Sequence, residues 1–341
     1  MSDTPVRMAY GAERDLDAWR ARHAAGESPS EWPYGLEYLA RPGATVTPRS
    51  LPQPGRFGLE AARLLHRRPS SRTAGRAVGI SWDENIARRL LASARQREEL
   101  YSGVIWLTDV LRKGDPSDYR RTATLLHHFS GLFVLSRAQL DPLREFLGSG
   151  APPVHFVRFG VDADFFTPAP YPGRPALFSA GGDRDRDTET LFEALRAVRA
   201  QVPDAEIVVQ TKSEATPPDG VRVIPYVTHA ELRERYRAAS AVLIATRENL
   251  HVSGMTVSLE AMATARPVVL TGTPGTDDYV AQGETGYLVP RGDAAALAAR
   301  AVELLADPAA SAAMGERGRA AVEDQFTTRH LADQLAALVG I

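Results

Sequence analysis

The residues with the types and spacing to handle a phosphorylated ligand begin at His251-Val-Ser-Gly-Met-Thr-Val-Ser-Leu-Glu260. Ser253 suits a helix N-cap, and Gly254 at the first helical position lets another group approach the backbone closely. The N–H groups of Gly254, Met255 and Thr256 then point out of a positive helix end, which suits a phosphate. Ser253, Thr256 or Val257, and Glu260 share one helical face. Glu260 sits roughly 10 Å beyond the cap at about 1.5 Å per residue, near the span from a diphosphate to its ribose hydroxyls. A carboxylate there can accept both hydroxyl protons. Residue types alone leave a second reading open, an ordinary Ser-capped helix with a solvated Glu. His251, beside this turn, is a candidate catalytic group or a structural hydrogen-bonder.

Ser179-Ala-Gly-Gly-Asp-Arg-Asp-Arg-Asp187 is the second such stretch. Gly182 permits close backbone approach, and Arg184 or Arg186 can clamp a diphosphate with planar donors. The alternating Asp183, Asp185 and Asp187 also invite a metal. The interleaved arginines would repel a cation, however, and hard cations want a convergent oxygen cage, so no metal is expected. Towards the N-terminus, Asp83, Glu84 and Asp109 each follow an apolar run, where an acid can take a proton from an attacking hydroxyl. Asp83 serves equally as a helix N-cap. Arg63, Arg67, Arg68, Arg72 and Arg76 cluster, as would suit a phosphorylated acceptor or an exposed helix end.

The elements that must position these residues alternate. Residues 6–10 and 44–47 are strand candidates flanking a polar helix, Arg14 to Ala24. Phe57 to Arg67 has helical spacing, and Ala77 to Ser81 is a buried-type strand leading into a helix, Ile86 to Arg95. Gly103 to Leu107 reads as a strand ending in Thr108-Asp109. Gly131 to Leu135 is another, with Ser136 capping a helix to Leu147, and Val154 to Val157 closes this half. The rhythm resumes with strands at 176–180, 206–210, 222–225 and 241–245. Helices are expected at 188–199 and after the capping box Thr228-His-Ala-Glu231. Asp293 caps another helix, Asp307-Pro308 starts the next, and Thr327 to Val339 is a last amphipathic one. Strands alternating with helices indicate an α/β chain with parallel, doubly wound sheets.

Leu259-Glu-Ala-Met-Ala-Thr-Ala-Arg-Pro-Val-Val269, Thr273-Pro-Gly-Thr-Asp-Asp-Tyr-Val280 and Gly283-Glu-Thr-Gly-Tyr-Leu-Val289 resemble the C-terminal half of the GT-B glycosyltransferases with retaining, family-4-type chemistry (glycosyl transferases group 1). Arg158-Phe-Gly-Val-Asp-Ala-Asp-Phe-Phe-Thr-Pro168 resembles their interdomain linker. The resemblance implies the GT-B fold, two Rossmann-like domains facing a central cleft. It divides the chain into an acceptor-binding domain over 1–160, a nucleotide-sugar-binding domain over 161–325, and a C-terminal helix over 326–341 that packs back on the first domain. Glu260 matches the second acid of the family's Glu-x7-Glu motif, which holds the donor ribose; Val252 stands where the first should be. Arg186 matches the phosphate-binding Lys, and Tyr226 and Val227 match the strand end that receives the nucleobase. The implied activity is retaining, metal-independent transfer of a sugar from a nucleotide-diphosphate donor to a natural product, a glycan or a lipid-linked sugar.

Composition bounds the alternatives. The 341 residues suit two domains, and a net charge of −2 argues against wrapping nucleic acid. Zero cysteines exclude disulfides, thiolate metal sites and a Cys nucleophile. No apolar run reaches the ~18 residues of a membrane span, and Met1-Ser-Asp-Thr-Pro lacks a signal-peptide pattern, so a soluble cytoplasmic enzyme is expected. Lys113 and Lys212 are the only lysines, which disfavours a pyridoxal-phosphate phosphorylase. No Gly-x-Gly-x-x-Gly follows the first strand, which disfavours a dehydrogenase. An epimerase or hydrolase of nucleotide sugars stays open, as does a nucleotide-binding homologue with reduced catalysis, for which Val252 speaks.

Overall fold

The computed structural model describes residues 3–66, 76–95 and 97–341. Arg67, Arg68 and Arg72 of the arginine cluster lie outside the described residues. The chain folds as two compact units: Met1–Ala21, Ser30–Arg158 and Arg329–Ile341 form the first, Arg22–Pro29 and Phe159–Thr328 the second.

The first unit contains strands β1 (Thr4–Gly11), β2 (Ala44–Leu51), β3 (Val78–Ser81), β4 (Glu99–Gly103), β5 (Gly131–Val134) and β6 (Val154–Phe156). All pair in parallel, in the order β2-β1-β3-β4-β5-β6. The interleaved helices are α1 (Leu16–Ala24), α2 (Arg56–Leu65), α3 (Glu84–Ala92), α4 (Leu107–Lys113), α5 (Arg120–Leu126) and α6 (Leu140–Leu147). β3, β4 and β5 are buried along their whole length, as expected for parallel strands covered on both faces. Leu90, Leu100, Phe129, Leu132 and Leu143 form part of the core between this sheet and its helices.

One strand is displaced from the sequence expectation, and helices α4 and α5 were not expected. The strand predicted over Gly103–Leu107 lies earlier, over Glu99–Gly103, and Leu107 opens helix α4, so Asp109 sits in that helix's first turn and is buried. The displacement has an electrostatic cause. Glu98 and Glu99 resemble a polar loop, yet both are buried, because Arg7 pairs with Glu98 at 2.6 Å and Arg76 with Glu99 at 2.8 Å. Buried charges are tolerated when paired and hydrogen-bonded.

The second unit repeats the plan with β7 (Ala176–Ala180), β8 (Glu206–Gln210), β9 (Val221–Ile224), β10 (Ala241–Ile244), β11 (Val268–Thr271) and β12 (Gly286–Val289). These are again parallel, in the order β12-β11-β10-β7-β8-β9. The helices are α7 (Thr188–Gln201), α8 (His229–Ala238), α9 (Met255–Ala263), α10 (Ala294–Ala306) and α11 (Pro308–Gln325), and α12 (Thr328–Val339) ends the chain. Thr228 and Glu231 form the capping box of α8, and Asp307 ends α10 while capping α11. Arg266, 1% exposed, donates to the carbonyls of Ala169, Pro170 and Arg237, tying the segment after Phe159 to this sheet's helices. In α12, Asp333 pairs with Arg41 and Arg329 lies 4.2 Å from the Tyr38 ring, all within the first unit. Among the described residues no helix is long and apolar enough to cross a membrane.

Candidate functional site

In the second sheet the chain leaves β7 towards β8 on one side and reaches β10 on the other. The loops after β7 and β10 therefore part at a topological switch point, where open parallel sheets bind ligands at the strand carboxyl ends. These loops, residues 181–187 and 245–254, overlap the two stretches singled out from sequence, 179–187 and 251–260. They are stitched together by Asp187 N–H to the Ala245 carbonyl (3.0 Å) and Arg247 N–H to the Asp185 carbonyl (2.8 Å). Asp187 also caps α7 through Thr190 N–H, so its carboxylate has a structural duty.

The turn into α9 is tighter than expected. Gly254, at φ 93°, is the N-cap, and Met255 is the first helical residue. Ser253 therefore precedes the cap, a correction to its assignment as N-cap. Two left-handed residues in this turn explain the change: Val252 has φ 56° and Gly254 follows at 93°. A β-branched residue at positive φ is strained, and such strain persists only where surrounding bonds over-determine it. Here Asn249 supplies them, with Oδ1 accepting Ser253 N–H (2.8 Å) and Nδ2 donating to the Arg247 carbonyl (2.8 Å). The Met255 N–H goes to the Val252 carbonyl (3.0 Å). Gly254, Thr256 and Val257 are left as the amides at this helix start that lack an intrahelical acceptor.

Arg186 lies across this helix start between two glycines. A Cβ on Gly254 would meet its Nη1 at 2.8 Å, and one on Gly181 would meet its Nε at 2.4 Å. Both nitrogens are buried without a hydrogen-bond acceptor. Burial pulls the guanidinium below its ordinary pKa, although Asp183, Tyr236 and Tyr226 act in the opposite sense. Leaving buried charged donors unpaired is expensive, so the geometry is that of a cation awaiting an anion.

His251, 4% exposed, donates or accepts through Nε2 with Asp183 Oδ2 at 3.1 Å, while its Nδ1 faces Asp185 Oδ2 at 4.0 Å. Each ring nitrogen thus has a carboxylate beside it. Burial pushes the Asp183 carboxyl up, but the hydrogen bond and charge of His251 outweigh it and hold the group well below the usual carboxylate range. Asp183, Asp185 and His251 each place one possible metal-ligand atom within 4.8 Å of the others. The arrangement also closes as an ion-pair network, since Arg184 Nε lies 3.5 Å from Asp185 Oδ2. Arg184 is otherwise half-exposed.

Glu260 is 6% exposed, in the second turn of α9. Tyr236 donates its hydroxyl to Oε2 at 2.8 Å. Burial raises the Glu260 carboxyl to about 7, against the downward pull of that hydrogen bond. Tyr226 is half-exposed, with Lys212 Nζ 4.7 Å from its ring centroid. Gly182 abuts it, since a Cβ there would lie 2.0 Å from the Tyr226 hydroxyl. Val227 follows at the end of the same segment, partly buried.

Sequence reasoning missed Asn249, Tyr236, Thr246 and Thr273. The hydroxyls of Thr246 and Thr273 are buried without partners just beyond β10 and β11. The rule that ligands meet strand carboxyl ends could have found both threonines. Nothing in the local pattern around Tyr236, on the buried side of α8, signals its partner.

In the first unit, Asp83 caps α3 by accepting from Asn85 and Ile86 N–H (2.8 and 3.1 Å). Glu84 accepts from Ile105 and Trp106 N–H, one on each oxygen, both at 2.9 Å. Burial raises its carboxyl while these bonds lower it. Asp109 is 1% exposed. Asp83 and Glu84 thus hold the loops after β3 and β4, while Asp109 lies in the first turn of α4. Of the arginine cluster, Arg63 pairs with Glu60 and Arg76 with Glu99.

The family model for glycosyl transferases group 1 matches residues 175–307. The capsular polysaccharide biosynthesis glycosyltransferase CapM of Staphylococcus aureus is 35% identical over 82 residues, 24% of this chain and 22% of that protein. The alpha-maltose-1-phosphate synthase of Mycolicibacterium smegmatis is 29% identical over 237 residues, 59% of this chain and 60% of that one. The chain thus spans from about a fifth to three fifths of the length of these curated relatives. The structure of Anabaena HepE in complex with UDP-glucose superimposes with a TM-score of 0.72 at 13% identity, covering 98% of this chain and 99% of that one. Residues 175–307, within the second unit, match the group 1 glycosyl transferases, and the two parallel six-stranded sheets share the GT-B fold of the solved glycosyltransferases along the length of the chain.

Proposed function

We propose that this chain transfers a sugar from a nucleotide-diphosphate donor to an acceptor hydroxyl, with retention at the anomeric carbon and without a metal. The observation that carries the reading is the pair of buried, unpartnered Arg186 nitrogens against the start of α9. The diphosphate lies against Arg186 and the amides of Gly254, Thr256 and Val257, and the ribose reaches Glu260. Cleaving the bond between the anomeric carbon and the phosphate oxygen leaves negative charge on the diphosphate. Arg186 and the helix start are already aimed at that charge, which is preorganised electrostatic stabilisation. The acceptor oxygen bonds to the anomeric carbon from the same face, and its proton passes to the departing phosphate oxygen. No carboxylate nucleophile is needed. That fits the structural duties of Asp83 and Glu84 as acceptors of backbone amides. Tyr226 stacks on the base. A cytoplasmic location goes with this reading.

HepE binds UDP-glucose, so uridine donors head the panel to test. Thermal-shift titration with UDP, GDP, ADP and their sugars is expected to show stabilisation by one nucleotide, unaffected by chelator and abolished in Glu260→Ala. Full donor affinity in Glu260→Ala would remove the ribose site, and a requirement for Mn²⁺ would overturn the metal-free mechanism. Incubating the donor alone separates this activity from epimerisation, which alters the sugar without an acceptor.

A further inference from the structure

We propose that Tyr236 is the positioning residue for Glu260: its hydroxyl takes one acceptor site on Oε2 and fixes the carboxylate plane, so that Oε1 is presented to the donor ribose. The inference rests on the donor reading above and changes its geometry, because a free carboxylate would accept both ribose hydroxyls with both oxygens. Tyr236 is fully buried, and its ring is locked edge-on against Phe178 (5.4 Å) and Phe166 (6.2 Å). Helix α8, which carries it, is fixed at its start by the Thr228–Glu231 box and near its end by Arg237, which donates to the Thr167 carbonyl at 2.8 Å. The phenol has a single proton, and at 2.8 Å that proton goes to Oε2. An ionised carboxylate has about four acceptor sites, and Tyr236 takes one of them, leaving both sites on Oε1 to a donor such as a hydroxyl. The charged and titratable groups around Glu260 are Tyr236 from α8 and, beyond it, Arg186 from the loop after β7, whose charge acts on the same phenol.

A phenol that merely fills the core and satisfies its own polar atom would look alike in the fold but not in binding. Tyr236→Phe keeps the ring packing and removes only the proton donor. The probe is whichever of UDP, GDP or ADP binds the wild type, measured by calorimetry between pH 5.5 and 8.5. At pH 8, Tyr236→Phe is expected to bind roughly tenfold more weakly, the size of a lost hydrogen bond to a charged group. Because the Tyr236 bond pulls the Glu260 carboxyl down, its loss moves the pH at which affinity is half lost upwards. Glu260→Gln and the double variant should bind alike, since without the carboxylate there is nothing for Tyr236 to orient. Unchanged affinity and pH profile in Tyr236→Phe, with Glu260→Gln still impaired, would overturn the positioning role and leave the donor site standing. Additive losses in the double variant would also overturn it. If none of the nucleotides binds the wild type, the donor reading fails and the positioning role goes with it.

Discussion

Replacing Glu260 by Gln should stabilise the protein, increasingly so as pH rises. Its carboxyl ordinarily ionises near 4.5 and is raised to about 7 by burial. Below about pH 4.5 the group is protonated in folded and unfolded chains alike, and no penalty exists. As pH rises further, the unfolded chain sheds the proton while the folded one retains it, and the folded state loses ground until its own group ionises near 7. The difference of about 2.5 pH units, at about 1.36 kcal/mol each, amounts to about 3 kcal/mol, fully developed above neutral pH. No discount for screening applies, since Glu260 is 6% exposed. Gln keeps the volume and an oxygen for the Tyr236 hydroxyl. Its extra N–H₂ adds a constant offset, so the diagnostic is the change in the stability gap with pH. Urea unfolding of both proteins at pH 4.5, 6, 7 and 8 should show the gap, variant minus wild type, widening by about 3 kcal/mol, or roughly 5–10 °C in thermal midpoint for a unit of this size. A gap that stays flat would refute the claim that Glu260 is held as a destabilising, ligand-directed acid. The same variant should bind nucleotide diphosphates more weakly at every pH above 7, which separates an acid kept for a ligand from one kept for the fold.

Arg186→Ala should weaken nucleotide-diphosphate binding by tenfold to a hundredfold, on the order of a charge-assisted hydrogen-bond pair, without lowering the thermal midpoint of the unliganded protein. A calorimetric titration indistinguishable from wild type would detach the diphosphate from this arginine. Ala265→Gly should raise stability by roughly 0.5–1 kcal/mol, because Ala265 follows the end of α9 at φ 58°, a conformation glycine adopts without strain. Equilibrium unfolding reads this directly, and a destabilised variant would show that the turn carries no strain to relieve.

Much of this architecture is written locally. The apolar runs at 176–180, 206–210 and 241–245 are strands because nothing else about them competes, and Thr228-His-Ala-Glu231 caps its helix as the residue types dictate. Where local pattern failed, distant partners were responsible. Glu98 and Glu99 enter the strand region only because Arg7 and Arg76 neutralise them from far along the chain. Ser253 has the chemistry of an N-cap, yet Asn249 holds the turn so that Gly254 takes the position.

The amino-acid order by itself determined the alternation of strand and helix, the glycines that let Arg186 and the α9 backbone approach, and the presence of an acid in the second turn of that helix. Only the tertiary structure decided that Arg186 would be buried with idle donors, that His251 would lie between two aspartates, and that Tyr236 would reach Glu260 across 24 positions of sequence. The physical reason is desolvation. Whether a charge is solvated, paired or left waiting depends on what the switch point of the sheet brings beside it, and residue spacing along the chain carries no record of that.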